Sequence, residues 1–423
     1  MFIFNVKGPF ILNIFNKKVH IFTMANNESI CKKEVLSMKQ TIRIFGKLDD
    51  IRQPRKVQHN LVDIVIMTLV SVLCGCTDWV EVATFCKARI RYFQEFLVLP
   101  NGMPSHDTFR RVMGLVNPEH YAACYQEWVE TILPCRGADV ISIDGKTVRG
   151  SGERRQGLKP LHMVSAWSAR YGLTLAQIRT SEKSNEITAI PDLLDMLHIA
   201  DCVVTIDAMG CQTKIAEKII SLQGDYVLAV KENQENLHRE IEDYFEGAER
   251  DHYLGVPHYV AESLEKNHGR LEHRACDQIS ECALLTRFHD FPGAQSIVRI
   301  KSRTVRNDQT ISDVRYYLSS LPGSEAHAQK IADAIRAHWG IENRCHWVLD
   351  VTFGEDSCRT RERIAAQNLT VARKIALALA KRVPDEIVEQ YSHDKAKWTS
   401  LKKRLFLANL YPDFMMAILL TGL

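Results

Sequence analysis

The sequence predicts a mixed α/β chain flanked by helical segments, and three observations carry that reading. At Ala138 the apolar spacing changes from helical to short continuous runs. Those runs alternate with helical stretches as far as Phe245. Short alternating stretches then lead to Leu321-Pro322-Gly323, after which a long helix begins near Ala326. At 423 residues the chain exceeds one small core and fits about three domain-sized pieces.

Composition sets the outer limits. Hydrophobic residues make up 46% and charged residues 25%, the balance of an ordinary globular protein. Only 21 Gly and 13 Pro argue against long disordered linkers. A net charge of +3 excludes a polybasic nucleic-acid wrapper and leaves room for a local basic groove. The best apolar run, Leu61–Leu73, carries Asp63 and falls short of the roughly 18 residues that span a bilayer. No membrane segment is expected, and the protein reads as cytoplasmic. Of the 12 cysteines, only Cys74 and Cys76 lie close together, and no second pair completes a zinc site. Reduced core thiols are the expectation.

The first block is helical. Asn60 caps Leu61–Leu73, with Asp63 three residues on in a capping-box-like place. Helical spacing continues over 79–96. Leu99–Pro104 is a turn, Ser105 caps a short helix through Val112, and Tyr121–Leu133 closes the block. Short helices joined by tight turns suit either a DNA-reading domain, with Arg110 and Arg111 on phosphates, or a plain helical bundle.

The α/β block follows. Val140–Asp144, His162–Ser168, Leu173–Thr180, Cys202–Asp207 and Tyr226–Lys231 are expected strands, with Arg170-Tyr171-Gly172 as a hairpin turn. Glu186–Leu197 and Lys214–Leu222 are expected helices, Pro191 being tolerated near a first turn. A helix over 235–245 precedes the stretches His258–Glu262, Arg270–Cys276, Ser296–Ser302 and Val314–Ser320. These predict a small β subdomain standing outside the main sheet.

Three acids fit a purely structural role poorly. Asp144 and Asp207 each end an apolar strand, where a carboxylate is costly to bury without a positive partner. On adjacent strands the pair could share a divalent cation, and Mg²⁺ prefers such oxygen ligands. On the long helix, Ile331, Ile335, His338, Glu342, Cys345 and Leu349 share one face, so Glu342 is expected to point at the sheet. Glu355 and Asp356 follow Phe353-Gly354 and read as exposed loop acids. Two strand acids and one helix acid could hold two Mg²⁺ ions about 3.5–4 Å apart for in-line phosphoryl transfer. A zinc helix built on His338, Glu342 and His346 is the weaker alternative.

The motifs Gly102–Val112 (GMPSHDTFRRV), Ile141–Gly150 (ISIDGKTVRG), Val204–Ala216 (VTIDAMGCQTKIA), Asp225–Gln234 (DYVLAVKENQ), His268–Arg274 (HGRLEHR) and His338–Asp356 (HWGIENRCHWVLDVTFGED) together carry a resemblance. The chain resembles a DDE insertion-sequence transposase of the H-repeat-associated, Rhs-element-linked branch, from about Leu48 to Ala380. The resemblance implies an RNase H-like core interrupted by a β-rich insertion, with an N-terminal helical domain ahead of it. It also implies that Asp144, Asp207 and Glu342 are the catalytic metal ligands. Broader relatives carry a Tyr–Arg–Glu–Lys signature, whose positions here hold Ile335, His338, Glu342 and Leu349. Only the acid is kept, so other cations must hold DNA. The candidates are Lys146, Arg149, Lys231, Arg270, Arg274 and Arg344, each with a solvated surface charge as its plain alternative.

The expected organisation is then a non-native or disordered extension at 1–37, a helical domain at 38–137 and a core at 138–245. An insertion at 246–323, a second core part at 324–382 and a helical tail at 383–423 complete it. The expected function is Mg²⁺-dependent cleavage at insertion-sequence ends and strand transfer into target DNA, with Mn²⁺ able to substitute. Its partners would be double-stranded DNA and further copies of the chain on paired ends, in a bacterial cytoplasm. A degenerate element product that binds DNA without cutting is the main alternative, and a host RNase H-like nuclease a third.

The opening 1–37 lacks caps, period and resemblance. Each fully buried Phe contributes about 1.5–3 kcal/mol, so a docked Phe-rich segment would register as lost stability on truncation. A chain begun at Met38 is expected to keep its melting temperature and any strand-transfer activity; thermal denaturation of both forms checks this.

Overall fold

The computed structural model describes residues 41–133, 137–180, 185–267, 270–306, 309–392 and 400–421. The 1–37 extension lies outside them. The described residues fall into two compact units. One combines residues up to 133 with Thr147–Leu161 and those from 347 onward; the other holds 137–146 and His162–His346. The expected boundaries at 137/138 and 382/383 differ from this division, because N-terminal and C-terminal helices share one core.

In the helical unit, α1 (Leu61–Leu73), α2 (Trp79–Ala88), α3 (Ile90–Phe93), α4 (His106–Met113) and α5 (Pro118–Ile132) come first. The expected single helix over 79–96 is broken at Arg89, which ends α2 outside helical geometry. Asn60 caps α1 by accepting from the Val62 N–H, and Ser105 caps α4 by accepting from Thr108.

The other unit is organised by a nine-stranded sheet. Its strands are β1 (Val140–Val148, whose last two residues count with the helical unit), β2 (Leu161–Ser168), β3 (Leu173–Arg179), β4 (Val203–Ile206), β5 (Asp225–Val230), β6 (His258–Asn267), β7 (Arg270–Ser280), β8 (Ser296–Arg306) and β9 (Gln309–Ser319). Their order is β3-β2-β1-β4-β5-β9-β8-β7-β6. The centre is parallel, with Ile143 opposite Ile206 and Ile206 opposite Leu228. β2 and β3 form an antiparallel pair with a bulge at Ala166/Trp167.

The β-rich insertion is therefore not a subdomain outside the sheet. β9 returns antiparallel along β5, Val227 opposite Ser319, and β8, β7 and β6 extend the same ladder. Without β9 the backbone edge of β5 would be left unpaired.

Helices α6 (Glu186–Asp195), α7 (Thr213–Ser221) and α8 (Glu235–Arg250) cover one face. Ile141, Ile143, Val204, Ile206 and Leu228 meet Leu193, Ile215 and Ile241 there. On the opposite face Val203, Val227 and Val298 pack on Ile331, Ala334 and Ile335 of α9 (Glu325–Ile341). Since strand side chains alternate, Ser142, Asp144, Thr205 and Asp207 fall on the α9 face.

The chain leaves α9 through a π-helical turn, Glu342–His346, into α10 (Trp347–Val351). Then come α11 (Arg363–Arg382), α12 (Asp385–Tyr391), α13 (Leu401–Leu410) and α14 (Pro412–Thr421). α11 is buried continuously from Leu369 to Ala380, packing on α1, α4, α5 and α14, as expected of a helix at the middle of a bundle. Some of its buried polar groups find partners in the bundle, while Asn368 Oδ1 and Arg373 Nε have no hydrogen-bond partner. Arg373 donates to the Thr77 carbonyl at 2.9 Å and lies 3.7 Å from Glu355. Glu355 is thus a buried partner, 1% exposed, and not the expected loop acid. Asp356 accepts from the Arg149 backbone N–H at 3.1 Å. Among the described cysteines none forms a disulfide, and all but Cys76 are buried. No described helix is long and apolar enough to cross a membrane.

Fully buried Asn368 donates to the Met113 and Val116 carbonyls at 2.8 and 2.9 Å. Replacing it with Leu orphans both acceptors, at about 1–3 kcal/mol for an unsatisfied buried group. Asn368→Leu is expected to lower the urea midpoint of the helical unit accordingly, followed by circular dichroism.

Candidate active site

The β1–β4 register builds the floor of the site. Ser142 pairs with Thr205 and Ile143 with Ile206, so Asp144 and Asp207 come next on neighbouring strands. Asp207 stands just past the end of β4, as expected. Asp144 does not end its strand, because β1 continues to Val148. Both acids, with Glu342, Lys231, His338 and Trp339, line one cleft of about 940 Å³. Residues distant in sequence thus converge on one opening.

Glu342 reaches the cleft differently from expectation. It was expected to face the sheet, yet it is exposed and opens the π turn. The π turn breaks the i→i+4 ladder, so α-helical spacing no longer fixes its direction. Cys345 in the same turn is buried, 3.6 Å from the Thr174 hydroxyl.

Electrostatics tie the acids together. Burial pushes the Asp207 carboxyl above its usual range, and the charges of Asp144 and Glu186 push it further. The Gly210 N–H and His338 oppose that rise. Burial holds His338 below the ordinary histidine value, although Asp144, Asp207 and Glu342 all favour its charged form. His338 Nδ1 lies 2.9 Å from the Thr205 hydroxyl, which in turn donates to Ser142 at 3.2 Å.

A half-buried histidine and a buried glutamate pair beside Gly145. His162 Nε2 lies 2.6 Å from Glu186 Oε1. Gly145 leaves room for both, since a Cβ there would fall 2.1 Å from Glu186 Oε1 and 2.6 Å from His162 Nε2. The Asp144-Gly145 step of the DGK motif thus needs glycine for close approach.

The expected DNA contacts divide into groups. Lys231 lines the acid cleft. Arg270, Arg274 and Arg344 line an adjoining groove of about 780 Å³ that shares Trp339 and Glu342 with it. Arg270 and Arg274 are both engaged by Glu272, so neither is a bare surface charge. Lys146 is buried on β1, where it is no open phosphate contact. Arg110, Arg111 and Arg149 belong to the helical unit. Arg110 pairs with Asp107 at 3.1 Å, and Arg149 has a side chain 81% exposed beside Asp356. Thr205, Glu186, His162 and Trp339 escaped notice in the sequence. Strand alternation from Asp207 could have found Thr205; nothing local marks Glu186.

Three oxygen donors lining one cleft, two of them repelling each other, are the chemistry a hard divalent cation satisfies. Among the described residues, no three His, Cys, Asp or Glu side chains close into an ion-holding group. The donor set fits such an ion in kind, and the acids share a cleft without converging on one point.

Comparison with known proteins places this architecture. The family described as Transposase DDE domain matches residues 136–379, and the DDE_Tnp_1-associated family matches 42–129. The chain belongs to the DDE transposase family. It is 37% identical over 350 residues to the "H repeat-associated putative transposase YhhI" of Escherichia coli K12, covering 81% of this chain and 90% of that one. To the "Putative transposase YncI" of Escherichia coli O157:H7 it is 36% identical over 354 residues, 83% and 89% of the two chains. Among solved structures, a chain of the piggyBac transposase synaptic complex with hairpin DNA aligns over 92% of this chain and 81% of its own. At 11% identity and a TM-score of 0.41 that likeness is too slight to carry an argument.

Because the fold raises the Asp207 carboxyl, ionised Asp207 costs stability above its folded pKa, and that cost vanishes as pH falls through it. In EDTA, Asp207→Asn is expected to melt no lower than the parent near pH 8, and higher if relaxation is complete. The difference should shrink toward acid pH in paired thermal scans.

Proposed function

We propose that this protein is an active DNA transposase that cuts at insertion-sequence ends and joins the freed 3′-hydroxyl to target DNA. The observation that carries it is that Asp144, Asp207 and Glu342 line one cleft, where burial and then the charge of Asp144 raise the Asp207 carboxyl. The parallel β1-β4-β5 centre beside antiparallel β2 and β3 supports an RNase H-like reading of the core.

In this reading Asp144, Asp207 and Glu342 would hold two Mg²⁺ ions, with Mn²⁺ able to replace them. Bound there, such ions activate the attacking hydroxyl and neutralise charge on the leaving oxygen. The chain's own residues do the rest. The rigid β1–β4 register fixes two carboxylates, and Glu342 closes the site from the helix side. Lys231 places a positive charge on the phosphate path within the cleft. Arg270, Arg274 and Arg344 would hold flanking backbone along the adjoining groove, a contact that weakens with salt and is blind to sequence. Arg110, Arg111 and Arg149 remain candidates on the helical unit, and Lys146, buried on β1, remains a candidate only through its charge. Double-stranded DNA at paired ends calls for at least two copies of the chain, acting at the bacterial nucleoid.

The test is strand transfer on the element's own flanking inverted repeats. Joined product is expected with Mg²⁺, none with EDTA, and a loss of at least about 100-fold in Asp144→Asn, Asp207→Asn and Glu342→Gln with end binding kept. End binding without joining by the parent protein would favour the degenerate element product instead.

A further inference from the structure

His346 closes the π turn that Glu342 opens, and its ring is buried. Its Nδ1 lies 3.3 Å from Asp144 Oδ2, while Asp144 Oδ1 accepts the Gly145 N–H at 2.9 Å. The fold thus holds Oδ1 by a hydrogen bond and sets Oδ2 within ion-pair reach of the His346 ring. An ionised carboxylate only accepts, so a hydrogen on Nδ1 would let the ring donate to it. The opposite ring nitrogen, Nε2, is buried with no hydrogen-bond partner. An unpartnered buried nitrogen costs stability that an apolar side chain of similar bulk would not. Packing alone thus gives no reason for histidine here, and neither does the π turn, whose buried contact is made by Cys345.

We propose that His346 is a positioning residue for Asp144: its Nδ1–H locks Oδ2, so that the carboxylate meets a divalent cation in one fixed orientation. The inference rests on the cation-binding part of the proposed function. One five-residue turn then serves two acids, presenting Glu342 at its start and steadying Asp144 from its end. Outer partners that orient a carboxylate ligand typically change metal affinity about 10–100-fold when lost.

The test is Mn²⁺ binding by the full-length protein without DNA, followed by electron paramagnetic resonance. His346→Leu removes the donor and is expected to weaken Mn²⁺ binding about 10-fold or more. His346→Asn, whose amide nitrogen can stand near the place of Nδ1, should recover most of it. In an Asp144→Asn background the Leu change should cost nothing further, because the group it orients no longer binds. If the Leu variant does not fold, His346→Met replaces it in the same cycle. Wild-type affinity in the Leu or Met variant, or an Asn variant no better than Leu at equal melting temperature, overturns the proposal. His346-dependent Mn²⁺ binding by a protein that joins no DNA would sink the transposition reading alone. Joining and Mn²⁺ binding that survive His346→Leu unchanged would sink this proposal alone.

Discussion

The site depends on one register. Parallel pairing of β1 with β4 sets Ile143 opposite Ile206, and the next residue on each strand is an aspartate. Alternation sends Ile141, Ile143, Val204 and Ile206 into the helix-covered core on one side. It sends the acids to the other, where α9 packs. A one-residue slip of either strand would turn its carboxylate toward Leu193, Ile215 and Ile241, so the hydrophobic pattern that folds the sheet also protects the acid pair. The isoleucines commit the strands; the aspartates follow.

That commitment leaves two carboxylates facing one partly buried cleft. Burial first, and the charge of Asp144 second, push the Asp207 carboxyl up, and a cation would relieve both. Around it the fold spends its polar groups on orientation. Ser142, Thr205 and His338 form a hydrogen-bonded rung immediately beside the acid rung. His162 and Glu186 form another hydrogen-bonded pair against Gly145. A site so framed is cross-linked by hydrogen bonds on its strand side, while Glu342 stands exposed on the helix side.

Much of this was legible in the sequence because strands announce themselves through period 2 and an apolar run. Val203–Ile206 followed by Asp207 needed no structure to attract attention, and α1 matched its expected span residue for residue. Glu342 was legible as a candidate but not in its setting, since helical spacing assumes an unbroken ladder and the π turn breaks it there. Glu355 was misjudged because a glycine at 354 marks the end of a helix and says nothing of Arg373 waiting in the bundle. The insertion was misplaced for a related reason. Alternation reveals a strand but not its neighbour, and only pairing shows that β9 lies along β5. Long-range partners carry no local signature.

The antiparallel return of β9 has an evolutionary consequence. Its inner end, Tyr316 to Ser319, is bound to β5, and the chain passes from there straight into the helix that presents Glu342. The outer halves of β6–β9 lie beyond that pairing, held by their own ladder and by the Glu265–Arg336 ion pair. Hairpins can therefore grow or shrink at their tips by paired additions while the inner register, and with it the third acid, stays where it is. The ribbons can thus be re-tailored in length with the ladder kept as a fixed splice.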